Sequence, residues 1–179
     1  MGLTKEDIQF AVSRLEPTEH RLELKKFLHG SLCLDDAYNA NPESMRAALR
    51  TLAELGRGRR TWAVLGEMLE LGSESVTEHD AIGRYVVRLN ISKLIVVGTG
   101  ARALHTGAVM EGSWGDESTF VQTPEEAEAI LEASLQPGDI VLFKSSNGAG
   151  LRFLGDRIAL NTLSAAGTTQ DDSNRGEAL

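Results

Sequence analysis

Two spacings of apolar residues alternate along the chain, one typical of strands and the other of helices. Short apolar or alternating runs predict six strands, at 21–28, 31–34, 61–65, 94–97, 120–121 and 140–143. Between them, apolar residues at helical spacing predict five helices, at 42–55, 75–89, 101–110, 124–135 and 151–163. Another helix is predicted near the start, where Thr4 precedes an acidic first turn and Glu16-Pro17 ends the run.

This alternation predicts an α/β fold: a mostly parallel sheet of about six strands, with right-handed crossovers and helices on both faces. Only His29-Gly30 separates the first two strands, so we expect them to pair and to give the sheet one antiparallel strand. We divide the chain into an N-terminal helix and linker (1–18), one α/β domain (19–163) and a polar tail (164–179). The tail lacks apolar periodicity, which predicts disorder.

The composition is that of a globular protein and excludes several classes of function. A chain of 179 residues with 41% hydrophobic residues can bury a sizeable core. Its formal net charge of −8 argues against nonspecific binding to nucleic acid or to anionic membranes. No apolar run is long enough to span a membrane and no signal peptide opens the sequence, so we expect a cytoplasmic protein. Cys33 is the single cysteine, and we interpret it as a core residue.

Polar residues concentrate in the segment Leu34–Met45. A predicted strand stops at Asp35 and Asp36, a loop of tyrosine and asparagines follows, and Pro42 opens a helix. Ligands of open α/β sheets bind beyond the carboxyl ends of the strands, so this segment predicts a binding site. Asp and Asn are also common in loops because they hydrogen-bond nearby backbone, and a structural role for such a pair stays open.

Two further segments follow predicted strands and carry candidate chemistry. Val64–Gly72 contains Glu67 and is followed by His79, but the spacing of these residues matches no standard zinc pattern, so we predict no metal site. Lys144–Leu151 leaves the last strong strand as a glycine-rich turn. Its hydroxyls and backbone N–H groups suit an anion, and a plain turn into a helix is the alternative.

Gly98–Ala103 imitates the Gly-x-Gly-x-x-Ala fingerprint of dinucleotide-binding proteins. That fingerprint belongs on the first strand-to-helix turn, with an acidic residue ending the next strand. Here the pattern follows the fourth predicted strand, and residues 120–123 contain no carboxylate. We interpret it as a tight turn.

Leu34–Met45, Val64–Gly72 and Lys144–Leu151 together resemble the C-terminal domain of the Mur ligases. The first two segments are closest to the MurF type, which adds D-alanyl-D-alanine to a UDP-N-acetylmuramoyl tripeptide in peptidoglycan synthesis. The resemblance runs from about Glu16 to Leu160 and implies a Rossmann-like domain of an ATP-dependent ligase. A complete enzyme of this type holds ATP and Mg²⁺ mainly on a phosphate-binding loop in its central domain. No such loop occurs here, so we expect a fragment that is inactive alone.

The resemblance also implies roles for individual residues. Asp36 would accept hydrogen bonds from the ribose hydroxyls, and Asn39 would face the adenine edge. The full set implied for the nucleotide is Arg21, Asp36, Tyr38, Asn39 and Asn41. The set implied for the substrates, with the dipeptide carboxylate at the turn after the last strand, is Glu67, His79, Lys144, Ser145, Ser146 and Asn147. The family more often has arginine at the position of Asn147, so the details of the dipeptide pocket stay open.

Two other interpretations stay open at this point. The chain could belong to another Mur-type or folylpolyglutamate-type ligase, with similar chemistry and a different amine substrate. It could also be a stand-alone nucleotide-binding module without catalysis. The loop Tyr38–Pro42 and the run Leu65–Gly72 favour the MurF type over the other ligases, while the stand-alone module stays open.

Overall fold

The structure is a computed structural model that describes residues 23–27, 30–112 and 117–158. The strands are β1 (Glu23–Lys26), β2 (Leu32–Asp35), β3 (Thr61–Leu65), β4 (Lys93–Val97), β5 (Ser118–Val121) and β6 (Ile140–Lys144). The helices are α1 (Pro42–Leu55), α2 (Ser75–Arg88), α3 (Arg102–Glu111) and α4 (Pro124–Ser134). Short helical turns lie at 72–74, 99–101 and 147–149, and helical backbone at 151–158.

All six strands form one sheet in the order β1-β2-β6-β3-β4-β5. β1 pairs with β2 antiparallel, and every other neighbouring pair is parallel. β6 therefore lies between β2 and β3, although it comes last in the chain. This placement brings the end of β6 next to the ends of two strands that are distant in sequence.

Helices cover both faces of the sheet. α1, α2 and α3 pack on one face around Leu49, Ile82 and Leu104. α4 and the helical backbone at 151–158 pack on the other face, where Leu131 and Leu154 join the core. The chain runs outward with three helices on one face and returns to β6 with α4 on the other, as right-handed crossovers require.

The predicted fold is confirmed, and most boundaries agree within one or two residues. α1 has the predicted range because Asn41 and Ser44 form a capping box directly before and within its first turn. β2 and β6 each extend one residue further than predicted, to Asp35 and Lys144. The predicted helix before Glu16, the tail from 164 and the end of the last helix lie outside the described residues.

An ion pair lies at the edge of the sheet where the parallel strands begin; we call this the amino edge. The Arg60 guanidinium donates to both Asp139 oxygens at 2.6–3.1 Å and to the Ser134 carbonyl at 2.6 Å. The Trp62 indole and the Gln136 backbone N–H also donate to Asp139, each at 3.0 Å. The buried Asp139 carboxylate therefore ties β3 to the turn before β6.

No helix within the described ranges has both the length and the apolar character needed to cross a bilayer.

Candidate functional site

The loops that carry the predicted site meet at the opposite edge of the sheet, where the parallel strands end; we call it the carboxyl edge. Neighbouring strands are tied together there, because the Asp36 N–H donates to the Phe143 carbonyl and the Gly66 N–H to the Lys144 carbonyl. Beyond them lies a cleft of about 380 Å³ lined by residues 39–41, 69–71 and 146–148. This is the crevice where open α/β sheets bind ligands.

Lys144 and Asp36 form an ion pair at this edge. The Lys144 ammonium lies 2.5 Å from an Asp36 oxygen and donates to the Asn39 carbonyl at 2.9 Å. The Lys144 side chain is 1% exposed and that of Asp36 is 16% exposed. The ammonium is thus enclosed by the loop after β2, while the carboxylate reaches the surface. Two residues assigned to different ligands from sequence are direct partners.

Ser146 holds the two walls of the cleft together. Its hydroxyl accepts from the Leu69 N–H at 2.9 Å and lies 3.4 Å from the Ala40 carbonyl. Its own N–H donates to the Glu67 carbonyl at 2.9 Å. The neighbouring Ser145 is fully buried, and its hydroxyl donates to the Ser146 carbonyl. Asn147 is exposed and lines the cleft.

His79 is fully buried and uses both ring nitrogens within the protein. Nε2 accepts from the Met68 N–H at 2.9 Å, and Nδ1 lies 2.7 Å from the Ser75 carbonyl. Because a carbonyl only accepts, Nδ1 carries the proton and the imidazole is neutral. His79 therefore fixes the backbone of the segment 66–69 to α2. This geometry suits orientation of a loop at the cleft.

The loop between β2 and α1 holds three further predicted nucleotide residues besides Asp36. The Asn41 side-chain oxygen caps α1 by accepting from the Ser44 N–H at 2.8 Å. The Asn39 oxygen accepts from the Ala40 N–H at 2.9 Å, and both asparagines line the cleft. Tyr38 is more than a third exposed and stacks with the Arg152 guanidinium 5.8 Å from its ring centre. Arg21 lies outside the described residues, so its role stays a prediction.

Asp35 and Lys25 form an ion pair beside the Asp36–Lys144 pair. Asp35, which ends β2, is 1% exposed. Lys25 bridges Asp35 at 2.9 Å and Asp156 at 2.6 Å. Burial acts against the charged form of Lys25, but the hydrogen bonds to Asp156 and Asp35 outweigh it and raise the pKa of Lys25 above its usual value. This ion pair stabilises the end of β2 at the carboxyl edge.

Sequence reasoning missed Leu69 and Glu70 as cleft residues, although both lie in the segment Val64–Gly72 that it singled out. Glu70 adopts a left-handed backbone with φ of 65°, which is uncommon for a residue other than glycine. Leu69 is 44% exposed at the cleft. A local unfavourable conformation beside a cleft is often a feature of a functional site, but no sequence pattern announces it.

The described residues do not form a divalent-cation site. Within 23–27, 30–112 and 117–158, no group of three or more His, Cys, Asp or Glu side chains is placed to hold a metal ion. The Asp36 carboxylate at the carboxyl edge is engaged by the Lys144 ammonium.

Comparison with protein families decides what kind of domain this is. The family model described as "Mur ligase, glutamate ligase domain" matches residues 20–147. The chain belongs to the Mur ligase family. That match spans β1 to β6 and includes the segments Leu34–Met45 and Val64–Gly72 and the first four residues of Lys144–Leu151.

Two curated relatives carry the same name. The UDP-N-acetylmuramoyl-tripeptide–D-alanyl-D-alanine ligase of Mycobacterium leprae is 46% identical over 170 residues, which cover 87% of this chain and 33% of the relative. That of Mycobacterium tuberculosis is 45% identical over 175 residues, covering 88% and 34%. The chain thus spans about a third of the length of these relatives.

The fold has counterparts among solved structures. A MurF structure from Acinetobacter baumannii superposes with a TM-score of 0.72 at 29% identity, covering 88% of this chain and 34% of that one. MurF from Thermotoga maritima, solved in complex with ADP, gives a TM-score of 0.69 at 22% identity, covering 87% and 34%. The first match combines a similar fold with 29% sequence identity. The second, at 22% identity, supports the fold alone.

Proposed function

We propose that this chain is the C-terminal domain of an ATP-dependent ligase that joins D-alanyl-D-alanine to UDP-N-acetylmuramoyl tripeptide in peptidoglycan synthesis. Support comes from the cleft at the carboxyl edge, where the three segments that resemble the MurF type converge. The identity of about 45% to relatives of that name supports the same substrate class. ATP and UDP-linked sugars are cytoplasmic metabolites, so we place the reaction in the cytoplasm.

In the reaction we propose, ATP phosphorylates the tripeptide carboxylate, the dipeptide amine attacks the acyl phosphate, and inorganic phosphate leaves. The domain contributes positioning, since holding the amine in line with the acyl carbon can supply several kcal/mol of the barrier. ATP and Mg²⁺ are held mainly by parts of the enzyme other than these residues. The function we propose includes no binding to nucleic acid or to membrane surfaces.

On the nucleotide side, Asp36 is the residue best placed to accept hydrogen bonds from ribose hydroxyls. Its carboxylate is partly exposed at the carboxyl edge, and the ion pair with the Lys144 ammonium holds it in place. Tyr38, Asn39 and Asn41 lie on the same loop, and we assign them to the nucleotide as well. Arg21 belongs to this proposal from its sequence match alone.

On the dipeptide side, Ser146 and Asn147 line the cleft and suit a carboxylate. Lys144 is enclosed by its partners, so we propose that it acts on the substrates through the loop it holds. Ser145, Glu67 and His79 contribute by fixing the cleft walls.

A chimaera tests the proposal. The matching third of the Mycobacterium leprae relative is replaced by this chain, and phosphate release is measured with ATP, UDP-N-acetylmuramoyl tripeptide and D-alanyl-D-alanine. We expect release that requires all three, and little release when L-glutamate replaces the dipeptide. A folded chimaera that is inactive, or that prefers L-glutamate, would contradict the proposal.

A binding measurement on the chain alone separates this function from a stand-alone nucleotide module. We expect calorimetry to detect weak or no binding of NAD, ATP and D-alanyl-D-alanine, because half of the site belongs to other domains. Tight NAD binding by the isolated chain would favour the module instead.

A further inference from the structure

Gly100 lies in the turn that leads into α3, and the side chain of Glu67 covers its α-carbon. A side-chain carbon added at Gly100 would overlap the carboxylate carbon and both carboxylate oxygens of Glu67. The backbone of Gly100 is not left-handed, in contrast to that of Gly98, whose φ is 88°. Any residue could therefore adopt the conformation of Gly100. An added side-chain carbon would instead push the Glu67 carboxylate aside, and glycine leaves that space to the carboxylate.

α3 begins without the groups that stabilise the start of the other helices. It has no side-chain cap and no acidic residue in its first turn, and its first residue is Arg102. α1 has a capping box and Glu43, α2 has Glu78, and α4 has the Thr123 cap with two glutamates. Since a negative charge stabilises the positive end of a helix dipole, Glu67 supplies from the end of β3 what the sequence of α3 lacks.

Glu67 also belongs to the wall of the cleft. Its carbonyl accepts from the Ser146 N–H at 2.9 Å, and the next N–H, that of Met68, is held by His79. The main chain of Glu67 is thus fixed to the cleft, while its carboxylate lies against Gly100 at the start of α3. Moving the carboxylate away from α3 weakens the contact that holds the segment 66–69 to this helix.

We propose that Gly100 is a positioning residue for the cleft. By leaving room for the Glu67 carboxylate at the start of α3, it holds the segment 66–69 in place beside Ser146. The pattern Gly98–Ala103, which imitates a dinucleotide fingerprint, therefore makes room for the side chain of Glu67. The kinetic consequence rests on the proposed ligase function, whereas the contact itself does not.

The kinetic test uses Gly100→Ala in the chimaera, because one methyl group displaces the carboxylate without changing any charge. We expect the apparent KM for D-alanyl-D-alanine to rise about tenfold with kcat within about twofold, as for loss of one hydrogen bond to a charged group. The control Thr99→Ala removes an exposed side chain from the same turn and should leave KM within about twofold. A Gly100→Ala enzyme with an unchanged KM would overturn the proposal.

A double-mutant cycle separates this inference from the ligase function. Glu67→Ala, Gly100→Ala and the double variant are compared by chemical denaturation of the chain itself, without any assay of activity. Once Glu67 is shortened, the added methyl group has nothing to displace, so Gly100→Ala should be neutral or stabilising in that background and destabilising only when Glu67 is present. The same cycle decides the case if Gly100→Ala alone folds poorly, since the double variant should then recover. Equal effects of Gly100→Ala in both backgrounds would overturn the proposal, even with an active chimaera.

Discussion

The two edges of the sheet each hold an ion pair, and the pairs differ in how completely the protein encloses them. At the amino edge, Asp139 has a side chain that is 4% exposed and accepts from Arg60, Trp62 and the Gln136 backbone. At the carboxyl edge, Asp36 is 16% exposed and its partner Lys144 is enclosed. Asp139 is hidden at the amino edge and Asp36 is presented at the carboxyl edge, which supports our proposal that the ligand binds at the carboxyl edge.

Asp139→Ala should have the largest effect on stability. It removes the acceptor of donors from three residues and leaves the Arg60 charge without its partner, so we expect a loss of about 3 kcal/mol in unfolding free energy. Chemical denaturation of the chain measures it. Asp139→Asn keeps the shape and some of the hydrogen bonds, and should cost less. A loss below about 0.5 kcal/mol for Asp139→Ala would show that the amino edge is not the structural one.

Lys144→Met should affect both properties of the carboxyl edge. Asp36 can be solvated after the ammonium is lost, so we expect a smaller destabilisation than at Asp139, about 2 kcal/mol. The loop held through the Asn39 carbonyl also loses its anchor, so the apparent KM for ATP of the chimaera should rise. Lys26→Met, on an exposed lysine of β1, is the matched control. A variant that loses stability with unchanged KM would make Lys144 purely structural.

His79→Leu should have the smallest effect of the three. It leaves the Met68 N–H without its acceptor in a buried position, which costs about 1 kcal/mol. In His79→Gln the side-chain oxygen can accept from that N–H, and part of the loss should be recovered. Equal denaturation curves for His79→Leu and the original chain would show that His79 does not hold the segment 66–69.

Local sequence signals predicted the elements of both edges, but not the partners across them. Pro42 and the polar loop before it predicted the start of α1, and the apolar runs predicted the central strands. The predicted ends of β2 and β6 are one residue short because Asp35 and Lys144 are charged. In the structure, ion pairs with their partners offset the cost of burying these two side chains. Which strands are neighbours depends on β6 lying between β2 and β3, a long-range order that no local pattern contains. The pairing of Lys144 with Asp36 therefore could not be predicted from the sequence.

The same substitution at the two edges tests the central claim most directly. Asp36→Asn and Asp139→Asn are compared in the chimaera by the apparent KM for ATP. A carboxylate presented to the ribose predicts that Asp36→Asn raises this KM about tenfold, while Asp139→Asn leaves it within about twofold. An unchanged KM in Asp36→Asn, or an equal rise in both variants, would contradict the assignment of the carboxyl edge to the nucleotide.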